Sequence, residues 1–66
     1  MAIMIGGVMF VESEDKGFTW EAYRWDSTEP IAWIAETPEG VEVHTAVSIE
    51  KYKTLDDAAR AIEQYK

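Results

Sequence analysis

The side chains equipped for chemistry are few in kind. His44 is the single histidine, cysteine is absent, and Glu42, two residues earlier, is the carboxylate able to share its side of an extended segment. Such a pair can hold a proton, but the serines and other carboxylates show no spacing of nucleophile and base around it. The expectation is therefore a protein without catalysis. Thiolate metal sites are excluded, and Asp15 and its neighbours lack the one-three-five spacing and following glutamate of a calcium loop. Gly6-Gly7 lies in an apolar run with no helix after it, so it reads as part of a strand and not as a phosphate cradle. Neither a metal nor a cofactor is expected.

What remains is recognition. Thirteen acidic side chains against six basic ones give a formal charge of −7, which disfavours direct contact with nucleic acid or anionic lipid. Tyr23, Trp25 and Trp33 are of the types most enriched at the energetic centres of protein interfaces. Carboxylates held apart on a rigid sheet can imitate the phosphates of a duplex and occupy a groove lined by Arg and Lys. The plainer account of the same charge is solubility.

The elements that must position these groups follow from periodicity. Leu55, Ala58, Ala59, Ile62 and Tyr65 recur at intervals of three and four after Thr54, which predicts a helix with one buried face. Thr54 is its N-cap, and Asp57 is expected to reach back and close a capping box. A helix of about three turns is marginal alone and needs a surface to lie on. Four strands are expected to supply it: Ile3 to Glu12, Phe18 to Asp26, Ile31 to Glu36 and Val41 to Ile49, with Glu50 to Lys53 as the link to the helix. The turns between them are Ser13 to Gly17, Ser27 to Pro30 and Thr37-Pro38-Glu39-Gly40.

The predicted architecture is α+β, a single domain over residues 1–66: a four-stranded antiparallel meander with one C-terminal helix on one face. Pairing Glu36 with Val41 turns Val41, Val43, Thr45, Val47, Ala32, Ile34, Ala22, Trp20, Val8 and Phe10 toward the helix. The opposite face then carries Tyr23, Trp25, Ile31 and Trp33, with Ile5, Met9 and Val11 near them and Glu21, Glu42 and His44 at its edge. An apolar, aromatic face left open marks a contact with another protein. The same meander gathers Glu12, Glu14, Asp15, Glu36 and Glu39 at one end of the sheet, and Asp26, Glu29, Glu50, Asp56 and Asp57 at the other.

With 47% apolar residues and three Trp the chain is not a disordered acidic segment, and its length argues for modest stability. Met-Ala-Ile-Met-Ile-Gly-Gly has no basic region or long apolar core, so neither a signal peptide nor a membrane span is read there, and a cytosolic location is expected.

Two local resemblances exist. Val11-Glu12-Ser13-Glu14-Asp15-Lys16-Gly17-Phe18 and Thr54 to Ala58 resemble the strand, turn and helix start of HicB-like antitoxins, although the Pro-Asp-Leu-Pro-Gly stretch of that family is absent. The aromatic second strand and Tyr52-Lys53-Thr54-Leu55 resemble YegP-like domains. In size, charge and aromatic sheet the chain is similar to small phage-encoded inhibitors, including anti-CRISPR proteins and other DNA mimics. That likeness implies a non-enzymatic inhibitor of a basic nucleic-acid-binding host protein, without direct nucleic-acid or membrane contact. Its expected contact residues are Tyr23, Trp25, Trp33, Glu14, Asp15, Glu36, Glu39, Asp26, Glu29, Asp56 and Asp57. The alternative is a structural or regulatory domain that homodimerises through the aromatic face. Either reading allows a monomer or weak homodimer.

Overall fold

Gly6 and Gly7 divide the N-terminal apolar run. In a computed structural model describing residues 2–64, Gly6 takes φ 59°, and Ile5 pairs with Val8 across a two-residue turn. A positive φ at the first central position is what a type II′ hairpin turn requires, and Gly meets it without steric cost. The run therefore becomes two strands, β1 (Ala2–Ile5) and β2 (Val8–Glu12), where one was expected. A second break falls inside Val41 to Ile49. β5 (Gly40–His44) ends there, and β6 (Ile49–Tyr52) takes up most of the expected link to the helix. Between them the Thr45 N–H donates to the Ser48 carbonyl at 2.9 Å, and the Thr45 hydroxyl accepts the Ser48 N–H at 3.1 Å. The hydroxyl closes a turn that has neither Gly nor Pro.

β3 (Trp20–Arg24) and β4 (Ala32–Thr37) complete an antiparallel sheet of six strands, not four, in the order of the chain. The expected Glu36–Val41 pairing is present, as is the Pro38-Glu39 hairpin turn between Thr37 and Gly40. Alternation carries the register outward from this hairpin and places Val8, Phe10, Ala22, Ala32, Ile34, Val41 and Val43 on one face. Ala58, Ala59 and Ile62 of α1 (Leu55–Glu63) are buried against them, while Trp20, Tyr52 and Leu55 are packed at the margin. Small residues on β3 and β4 leave room for the helix over the sheet, and Phe10 is the largest side chain wholly enclosed.

The extra hairpins correct several expectations. Thr45 and Val47 are turn residues and not core; Val47 is 92% exposed. Ile5 and Ile31 pack toward the core and not on the opposite face. Trp25 and Asp26 lie beyond the end of β3, in the turn. The Thr54 hydroxyl accepts the Asp57 N–H at 3.1 Å, but the Asp57 carboxylate faces Arg60 at 3.8 Å instead of completing a capping box. Tyr65, expected on the apolar stripe of the helix, lies outside the described residues. Among those residues no helix is long and apolar enough to cross a membrane.

Candidate protein-binding face and acidic end

The sheet face away from α1 is built from the alternate residues of the same strands. One row crosses all six strands in register: Ala2, Val11, Glu21, Trp33, His44 and Ile49. A second joins Met4, Met9 and Tyr23. Trp33 therefore stands between Glu21 and His44 in the body of the face, where an edge position was expected for those two. Glu42 adjoins them, its carboxylate 3.2 Å from His44 Nε2 and 4.0 Å from Lys51 Nζ.

This face is less open than a bare sheet. The loop between β2 and β3 is held by Asp15, whose carboxylate accepts the Gly17 N–H at 2.8 Å and whose carbonyl accepts the Phe18 N–H at 3.1 Å. Phe18 meets the His44 ring edge-on, with centroids 4.9 Å apart. Ser13 donates to Glu21 at 3.4 Å, and the Tyr23 hydroxyl donates to the same carboxylate at 3.2 Å. Burial first, then the hydrogen bond to Glu21 and the negative charge of Glu21 and Glu14, holds the Tyr23 phenol above its ordinary pKa. Tyr23 and Trp33 are both half-buried, a correction to the expected open aromatic face. The larger apolar exposures belong to other residues: Trp25 at 85% and Val47 on two turns and, on this same face, Ile49 and Met4 both at 61% on the edge strands, with Met9 beside Met4. Met4 went unrecognised because Gly6-Gly7 was read as strand. Read as a turn, it sets Met4 directly opposite Met9.

The carboxylates are redistributed as well. One hairpin more between β4 and the helix reverses the direction of approach, so α1 starts beside the Pro38-Glu39 turn. Ile3, Trp20, Glu36, Glu39, Lys53, Thr54 and Leu55 border one shallow groove there. Asp56 and Asp57 thus join Glu12, Glu14, Asp15, Glu36 and Glu39 at the same end, where the second end was expected to hold them. Glu36 also accepts the Trp20 indole N–H at 3.0 Å. The opposite end keeps Asp26, 3.8 Å from Arg24, with Glu29, Glu50 and Glu63, the last accepting the Gly7 N–H. Among the described residues no group of three or more His, Asp or Glu is arranged to hold a metal ion.

Chemically, Glu42–His44 is a half-buried acid–base pair with Lys51 at its side, and Glu21 is engaged by two hydroxyls. The arrangement is suited to ion pairing and apolar contact. Comparison with known protein families, curated proteins and solved structures finds no match to this chain.

Proposed function

We propose that this protein is a non-enzymatic acidic binding protein that occupies a basic, nucleic-acid-binding surface of another protein. The observation that supports this reading most is the gathering of Glu36, Glu39, Asp56 and Asp57 around the helix start, beside the carboxylates of the loop between β2 and β3. This end presents several negative charges close together, with Lys53 bordering the same groove. It resembles a short run of phosphates more closely than charge spread evenly over a surface would. Trp33 and Tyr23, half-covered and ringed by Glu14, Glu21 and Glu42, offer an adjoining surface of mixed character, in which apolar area supplies affinity and charge sets orientation. In size and charge this is the pattern of phage-encoded inhibitors, anti-CRISPR proteins among them, and a host nucleic-acid-handling protein is the proposed target.

The test is capture of host proteins on the immobilised chain at low and high salt, followed by competition against duplex DNA for any protein captured. Binding to the target should weaken tenfold or more between about 50 mM and about 200 mM salt. It should weaken similarly when Glu36, Glu39, Asp56 and Asp57 are replaced by Gln or Asn. A complex indifferent to both salt and these substitutions, or one that DNA does not compete with, sinks the proposal.

A further inference from the structure

The two edges of the sheet are protected differently. β6 carries Glu50 and Lys51 and runs on to Lys53, and alternating charge of this kind discourages another strand from docking. β1 has no such protection: Ala2-Ile3-Met4-Ile5 contains neither a charge nor a proline, and no charged side chain occurs from Ala2 through Val11. Closing a two-residue turn makes Ile5 and Val8 a hydrogen-bonded pair, so by alternation the N–H and C=O of Ala2 and Met4 point away from β2. Among the described residues no strand pairs with that edge.

We infer that β1 pairs antiparallel with β1 of a second copy, centred on Met4, to form one continuous sheet of twelve strands. A two-fold axis perpendicular to the sheet keeps like faces together, so the residues facing each other across the seam must share parity. Centring on Met4 satisfies this. It sets Met4 of one copy opposite Met4 of the other, and Ile3 opposite Ile5. On the outer face the row Tyr23, Met9, Met4 then continues through its symmetry mate, covering two methionines that are 36% and 61% exposed in the single chain. On the helix side Ile3 and Ile5, already half-buried against the core, gain the same two residues as neighbours.

A second copy is the occupant because the edge is self-complementary under that axis. A chain of net charge −7 repels its own copy over most of its surface, and this edge, uncharged from Ala2 through Val11, is where a copy approaches at least electrostatic cost. The inference is independent of the proposed target, since the seam uses neither the acidic end nor Trp33.

Sedimentation equilibrium or light scattering of the full chain decides it. Wild type should reach twice the 7.5 kDa chain mass within a range of about 1 μM to about 1 mM. Met4→Pro removes an N–H that points out of the sheet and leaves the pairing with β2 intact, so it should give a monomer that retains its β-sheet circular dichroism. Met4→Lys keeps the N–H but places like charges together at the seam, and should also give a monomer. Trp33→Glu should remain dimeric. Wild type monomeric throughout the range overturns the inference, as does a dimer that survives both Met4 variants or one that dissociates with Trp33→Glu.

Discussion

The two faces of the sheet are made from the same six strands, yet they obey different rules. Toward the helix, Val8, Phe10, Ala22, Ala32, Ile34 and Val43 are wholly buried, and among the described residues no polar side chain is buried. On the other side, Glu21, Glu42, His44 and Tyr23 alternate with Met9, Val11 and Trp33, joined by hydrogen bonds and ion pairs that stay in reach of water. Folding needs only the first. The half-buried carboxylates of the second contribute little to stability.

Neighbouring residues on β2 give the widest contrast. Phe10 is enclosed and Met9 is not, although both sit in the same strand with comparable backbone surroundings. Phe10→Ala should cost about 3–5 kcal/mol, whereas a domain of this length has roughly 3–10 kcal/mol in total. The variant should be largely unfolded. Met9→Ala should cost under about 1.5 kcal/mol and give a full urea transition at matched chain concentration. Equal losses in the two would mean that the outer face is as much a core as the inner one.

The hairpin that sorts residues onto the two faces offers a finer test. A two-residue turn at Gly6-Gly7 keeps Ile5 and Val8 inward and Met4 and Met9 outward. Gly6 is in the left-handed region, and a Cβ there would collide with the Glu63 carboxylate that accepts the Gly7 N–H. Gly6→Ala should destabilise by about 1–2 kcal/mol in urea unfolding. Adding Glu63→Ala should relieve the collision, and, measured against Glu63→Ala alone, which also loses the acceptor of the Gly7 N–H, should leave the backbone cost. A neutral Gly6→Ala would show that the turn does not depend on that conformation.

The central part of this fold was legible because Thr37-Pro38-Glu39-Gly40 states its turn in residue types, and once Glu36 faces Val41 strict alternation assigns both faces from β2 to β5. What was missed has a common cause. Gly6-Gly7 and Thr45 to Ser48 interrupt runs that stay apolar or alternating on both sides, so periodicity passes over them unchanged. Each missed turn adds a strand, and a strand added before the helix moves the helix start to the other end of the sheet. That is why Asp56 and Asp57 changed clusters while Glu36 and Glu39 did not. The packing of the outer face was beyond reach for another reason: a loop folded by Asp15 and Phe18 reaching His44 are contacts that no spacing rule contains.

The smallest expected effect concerns the polar chemistry of the outer face. Tyr23 keeps its proton more firmly than a free phenol because burial, the Glu21 hydrogen bond and the charges of Glu21 and Glu14 all disfavour phenolate. A pKa raised in the folded chain means that the folded state holds this proton where the unfolded state has begun to lose it. The resulting stability is fully present below pH 10, the ordinary phenol value, and is lost as pH rises through the higher folded value. Glu21→Gln removes one charge and weakens the acceptor, so ultraviolet titration of the phenols should show this tyrosine ionising at lower pH than in wild type. The loss of stability on going above pH 10 should shrink with it. A Glu21→Gln chain whose Tyr23 titrates as before would mean that burial and the charge of Glu14, and not Glu21, set the phenol.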